Sequence, residues 1–344
     1  MPEIKSMADV KSLNVNANRQ LFSANEKEIL EGCTTDIYFV RTMDILNNMN
    51  IADRIVTAEI FPRKSGIFAG INEAFNILKN KNLEIWALPE GISFESKDTV
   101  MRIIGPYKEF GIFETVILGI LASSCGWATA ARECKEACGE KPFIIFGSRH
   151  VHPSVASVME RSAVIGGANG ASNILAAKIL GMEPSGTLPH ASFLIAGDTL
   201  PVSITYDKIS PKEHKRIILI DTFKDEAEEA LRIARALGEN LYAIRLDTPS
   251  ERGGVTVELI KEVRARLDME GFSFVKIFVS GGLYPEKIKQ LSEAGADAFG
   301  IGSYISGASA IDMTMDLKEI EGKPIAKRGR IPGRVKNSKL VMLR

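Results

Sequence analysis

The chain has 344 residues, 45% hydrophobic and 25% charged, and its 43 basic side chains are balanced by 43 acidic ones. That length allows a large core in one or two domains. The balanced charge argues against non-specific nucleic-acid binding, which needs a basic excess, so an anionic ligand has to be held by a local cluster.

The opening "MPEIKSMADV" lacks the apolar core of a signal peptide. The cysteines Cys33, Cys125, Cys134 and Cys138 form no C-x2-C pair and no second pair at ligand spacing. No zinc site is expected, and reduced thiols in the cytoplasm are the default. "RIVTAEIFPR", "LEIWALPEG" and "DTVMRIIGPY" read as strands, with "INEAFNILKN" as a helix between the first two. Residues 1–112 are therefore expected to form a small α+β domain.

"EFGIFETVILGILASSCGWATAA" is long enough to span a membrane. Glu114, three glycines and Ser123-Ser124 interrupt it, so it is read as an enclosed core helix, and no membrane partner is expected. "KPFIIFGS" and "ASFLIAGD" are expected to be strands. From Ile217 the rhythm is regular. "RIILID", "LYAIRLD", "FVKIFVSGG" and "ADAFGIGS" are strand-like runs separated by amphipathic helices with ordinary start and stop signals. Runs that are apolar throughout, such as "RIILID", suit parallel strands covered on both faces.

The expected fold class is α/β: an irregular α/β barrel over 113–307, with the smaller N-terminal α+β domain completed by 308–344. Barrel chemistry gathers at the carboxyl ends of strands. That rule selects Arg149, Asp198, Asp221, Asp247, Gly281, Gly282 and Gly302.

"VSGGL" and "FGIGS" give two glycine-rich loops on adjacent strands, which is a phosphate cradle or a pair of tight turns. Asp221 and Asp247 are Mg²⁺ or ribose ligands, or else helix N-caps. His190 precedes the apolar run "FLIA". The H-x-H pair His150 and His152 in "FGSRHVHP" lacks a third ligand for a metal.

"TTDIYFVRT", "FGSRHVHP", "IGGANGASNILAAKILG", "GTLPHAS", "IDT", "IRLDTPSERGG", "VSGGL" and "AFGIGS" follow one another in this order. The order resembles that of the nicotinate phosphoribosyltransferases, the archaeal members above all, over roughly residues 25–330. The resemblance implies a type II phosphoribosyltransferase architecture. It implies transfer of phosphoribose from 5-phosphoribosyl-1-pyrophosphate (PRPP) to nicotinate, giving nicotinate mononucleotide and pyrophosphate in NAD biosynthesis. Mg²⁺ and ATP as co-substrate are implied, with ATP coupled through a phosphohistidine at His190.

By the same resemblance, Gly281, Gly282, Gly302 and Ser303 hold the 5-phosphate. Arg245 and Asp247 address the phosphoribosyl group, and Asp221 lies near the diphosphate and metal. Arg149 and Ser172 contact substrate, Arg149 beside the pyridine ring. Tyr38 reaches that ring from the partner subunit of a homodimer or higher oligomer. Asn169, Ser172 and Asn173 supply no carboxylate where amide-using relatives place an aspartate, which favours nicotinate. His150 stands where many members have a second arginine. Some archaeal members carry a C-terminal zinc module; none is expected here, and no zinc. The competing expectations are a decarboxylating quinolinate phosphoribosyltransferase and a non-catalytic phosphosugar-binding regulator.

Overall fold

A computed structural model describes residues 3–344. It has two compact units, Met1–Thr129 with Ser309–Arg344, and Ala130–Ala308. The division lies inside a long helix, later than the boundary expected at residue 112. Gly119 weakens that helix by about 1 kcal/mol relative to alanine, whereas a Cβ at Gly126 would collide with the Ser309 carbonyl oxygen, and neither glycine ends the helix.

After two short helices, Met7–Ser12 and Glu26–Leu30, the first unit contains helix α1 (Ile37–Asn48), strand β1 (Ile55–Pro62), helix α2 (Ile71–Leu78) and strands β2 (Glu84–Ala87) and β3 (Met101–Pro106). Next comes α3 (Glu114–Cys138). The helical run Tyr107–Cys138 is apolar and long enough to cross a membrane by length and composition alone. Ile117, Leu121 and Cys125 on it are buried in the first unit's core with Phe68, Phe94 and Ile311.

In the second unit the chain alternates more regularly. The elements are β4 (Phe143–Ile145), α4 (Pro153–Gly166), β5 (Gly170–Ala171), α5 (Ile174–Ile179), α6 (His190–Ala196) and α7 (Thr199–Ile209). They continue with β6 (Arg216–Leu219), α8 (Glu226–Leu237), β7 (Leu241–Leu246), α9 (Val257–Met269), β8 (Lys276–Val279), α10 (Pro285–Ala294) and β9 (Ala298–Ile301). The sheet order is β5-β4-β9-β8-β7-β6, with every pair parallel. Its edge strands β5 and β6 are consecutive in the chain, so the sheet is an open half-barrel.

The expected strand "ASFLIAGD" is the helix α6. A short apolar run cannot separate strand from helix by periodicity. Here Gly197 ends the helix in the left-handed conformation. Only Phe193 is buried, while Ile195 is 88% exposed, which no doubly covered strand residue would be. Asp198 therefore follows no strand. It caps α7 and pairs with Arg232 (2.5 Å), which holds its carboxyl down at about 2.

The chain then returns to the first unit through β10 (Met313–Ile320), β11 (Lys323–Pro324) and β12 (Val341–Met342). They complete an antiparallel sheet in the order β11-β10-β1-β3-β2-β12. Glu59 on β1 lies opposite Arg102 on β3 and accepts from its Nε at 2.8 Å. The tail closes over this pair. Arg102 donates to the Val335 carbonyl (2.6 Å), and the Val335 N–H donates to the Glu59 carboxylate (3.2 Å). Glu59 is 1% exposed, so Glu59→Ala strands a largely buried guanidinium and a backbone donor. The expected loss is about 3–5 kcal/mol, measured by denaturant unfolding. A loss below about 1 kcal/mol, the worth of an exposed pair, would refute this account.

Candidate active site

Parallel strands bring their carboxyl ends to one edge of the sheet. At that edge of the second unit lies a cavity of about 560 Å³. Arg149, Ser172, Arg245 and Asp247 line it, together with Gly281, Gly282, Gly302 and Ser303. Asp221 and His190 stand next to the lining residues, whereas Tyr38 belongs to the first unit. Tyr38 is 56% exposed on α1 and donates to Asp36 at 3.4 Å.

Arg245 and Asp247 are two residues apart in extended chain, so they share a face. The Arg245 guanidinium donates to Ser280 Oγ (2.8 Å), Thr187 Oγ1 (2.6 Å) and Asp247 Oδ2 (2.9 Å). It also lies 5.4 Å from the centre of the Phe146 ring. Burial lowers its pKa from the ordinary value, with Asp247 and Asp221 opposing. An arginine remains protonated in such a setting. Ser280 also donates to Asp247 Oδ1 at 2.9 Å.

Asp221 follows β6 with its side chain fully buried. Its Oδ2 accepts from the Asp247 N–H at 2.8 Å, while its Oδ1 has no hydrogen-bond partner among the described residues. Burial raises this carboxyl above its ordinary value. His190 Nδ1 is 3.1 Å from Thr222 Oγ1. His190 Nε2 lies 3.8 Å from both Asp221 Oδ1 and Asp247 Oδ2. An orphaned carboxylate oxygen beside a second carboxylate fits Mg²⁺, a hard cation that takes one or two carboxylates and completes its shell with water and phosphate.

The glycine loops have two different reasons for lacking a side chain. Gly281 has φ +91°, and a Cβ there would sit 3.0 Å from Asp247 Oδ1. Gly302 has ordinary φ, but its Cβ would lie 3.0 Å from the Phe146 carbonyl oxygen. The amide N–H groups of Gly281 and Gly282 donate to no acceptor among the described residues, which leaves them open to an anion.

Arg149 sits in a one-turn 3-10 helix, Ser148–His150. It is exposed and makes no hydrogen bond or ion pair among the described residues. His150 Nδ1 is 3.1 Å from Ser306 Oγ, and His152 caps α4 by accepting from the Ser154 N–H. Asn169 and Asn173 are structural. Their side-chain oxygens accept from the Phe143 N–H (3.1 Å) and the Ala176 N–H (3.0 Å).

The absence of a carboxylate from the 169–173 segment does not leave that region without one. Glu160 on α4, 0% exposed, accepts from Ser172 Oγ (2.9 Å) and the Asn173 N–H (2.7 Å). Sequence reading also passes over Thr187, Thr222 and Ser280. Glu160 had a signal. It falls on the buried stripe of α4 with Ala156, Met159 and Ala163, where a carboxylate needs a reason.

Comparison with known proteins gives a consistent picture. The family models for quinolinate phosphoribosyl transferase match over residues 36–125 for the N-terminal domain and 127–316 for the C-terminal domain. A nicotinate phosphoribosyltransferase of Mycobacterium tuberculosis is 31% identical over 250 residues, covering 70% of this chain and 52% of that protein. One of Bacillus subtilis is 30% identical over 227 residues, covering 63% and 44%. This chain thus spans about half the length of the curated relatives it matches. The crystal structure of nicotinate-nucleotide pyrophosphorylase from Pyrococcus furiosus superposes with a TM-score of 0.88 at 43% identity, covering 92% of this chain and 82% of that one.

Proposed function

The chain belongs to the quinolinate phosphoribosyltransferase family, and from that membership we propose that it transfers phosphoribose from PRPP to nicotinate, releasing pyrophosphate. The observation that carries the choice of acid is Arg149. It is a cavity-lining guanidinium without a partner among the described residues, whereas Arg245 is committed to Ser280, Thr187 and Asp247. One open guanidinium suits a monocarboxylate on an aromatic ring, over which it can also stack. Quinolinate, with two carboxylates, would call for more open positive charge.

In this reading the amides of Gly281 and Gly282, with Gly302 and Ser303, hold the 5-phosphate. Asp247 accepts from the ribose hydroxyls, and Arg245 holds Asp247 in place. Departure of pyrophosphate leaves positive character on the anomeric carbon, which the nearby carboxylates stabilise. Mg²⁺, when bound at Asp221 and Asp247, supplies charge against the diphosphate. ATP coupling is assigned to His190, whose Nδ1 lies 3.1 Å from Thr222 Oγ1 while its Nε2 faces the Asp221 and Asp247 carboxylates at 3.8 Å, beyond hydrogen-bond distance.

A homodimer completes the proposal, with Tyr38 of one chain reaching the partner's cavity. Ile37 and Ile45, exposed with Tyr38 on α1, and Met49 at its C-cap give that helix an apolar face suited to burial. The test is pyrophosphate release with Mg²⁺ and PRPP, comparing nicotinate, nicotinamide and quinolinate, each with and without ATP. Release with nicotinate, stimulated by ATP, is expected. Equal turnover of quinolinate would sink the reading, and binding of nicotinate mononucleotide without any transfer would favour a regulator.

A further inference from the structure

We propose that Glu160 is a positioning residue for the aromatic-acid end of the cavity. Its buried carboxylate ties two substrate-facing turns together and takes up the protons of both serine hydroxyls there, so that the acid's carboxylate is turned away from this wall and toward Arg149. The proposal rests on the nicotinate reading above and specifies how that substrate is oriented.

Glu160 does not line the cavity, yet two of the hydroxyls that do are bonded to it. Its Oε1 accepts from Ser148 Oγ (2.7 Å), the Ser148 N–H (3.2 Å) and Ser172 Oγ (2.9 Å), and its Oε2 accepts from the Asn173 N–H (2.7 Å). One carboxylate thus joins the turn that carries Arg149 to the turn that carries Ser172. A serine hydroxyl has a single proton. With both protons directed at Glu160, Ser148 Oγ and Ser172 Oγ present only lone pairs to the cavity.

An acceptor-only wall disfavours an approaching carboxylate. The neighbouring donor is Arg149, which adjoins Ser148 in the same turn and has no partner among the described residues. Stability alone does not require this arrangement, since a buried charge with its bonds is often no better than apolar packing of the same volume.

Glu160→Gln keeps the shape and removes the symmetry of the acceptor. Whichever way the amide is turned, its –NH2 meets a backbone donor, Asn173 N–H or Ser148 N–H. Both KM values should be measured for Glu160→Gln and Glu160→Ala in the full chain. Hydrogen–deuterium exchange of peptides containing Ser148 and Asn173 should be followed in parallel. The KM for nicotinate should rise by about tenfold or more, with the KM for PRPP within about twofold. The amides of both turns should exchange faster.

Equal rises in both KM values, or a lowered Tm with the KM values unmoved, would mark Glu160 as a core residue and overturn the proposal. If the wild-type chain shows no transfer to nicotinate, the proposed function fails instead. The exchange measurement still decides the tie in that case, because unchanged protection in both turns of Glu160→Gln refutes it.

Discussion

Asp221→Asn should lower turnover at least about 100-fold while leaving the chain as stable as wild type or more so. The two effects share a cause. The Asp221 side chain is fully buried, and its Oδ1 has no hydrogen-bond partner among the described residues. Burial raises its carboxyl above the ordinary value, so ionisation at neutral pH costs folding free energy. The sign follows from linkage. A carboxyl raised on folding contributes stability that is fully present below its unfolded pKa and is lost as pH rises through the folded pKa. Asparagine has no such loss and keeps an oxygen for the Asp247 N–H.

The variant's stability advantage should therefore be absent at low pH and appear toward neutral pH, read by thermal unfolding in a metal chelator. In the proposed reading its turnover should fall because a neutral amide would neither balance charge at the anomeric carbon nor hold Mg²⁺ well. Near-wild-type turnover, or a clear loss of stability at neutral pH, would show that Asp221 is a structural residue.

The parts of the site legible in the sequence are those that depend on strand ends. Asp221, Asp247 and the two glycine loops stand where apolar runs stop, and the parallel sheet gathers such points at one edge whatever the details of packing. For residues that depend on contacts between separate turns, the sequence shows no partner, even where burial marks the position, as it does for Glu160. Glu160 serves Ser148 and Ser172, twelve residues away on either side. Thr187 reaches Arg245 across 58 residues.

Asn169 and Asn173 stand out in the sequence only as lacking a carboxylate, and tertiary structure turns both onto backbone donors. The error at "ASFLIAGD" had a different origin. The run is short and apolar, and only the tertiary structure leaves Leu194 and Ile195 exposed on a helix rather than covered in a sheet. That misreading carried Asp198 with it, because the strand-end rule was applied to an element that is not a strand.

The second large effect is expected at His190. His190→Ala should abolish stimulation by ATP while leaving measurable transfer without it. In the proposed coupling, Nε2 attacks the γ-phosphorus of ATP, the N–P bond forms as the P–O bond to the β-phosphate breaks, and ADP leaves. This requires the tautomer with its proton on Nδ1, which Thr222 Oγ1 can accept at 3.1 Å. It also requires a reason for a phosphoryl group to settle 3.8 Å from two carboxylates, which repel it unless a cation lies among them.

The coupling should therefore vanish without Mg²⁺ in the wild type as well. Thr222→Val tests the tautomer separately. It keeps the shape, removes the acceptor and should weaken ATP stimulation by about tenfold without abolishing it. The measurements are initial rates of pyrophosphate release with and without ATP, and acid-labile, base-stable phosphate on the protein. ATP stimulation that survives in His190→Ala would assign the coupling elsewhere. In that case the two carboxylates around His190 would have the simpler role of fixing its ring beside the ribose.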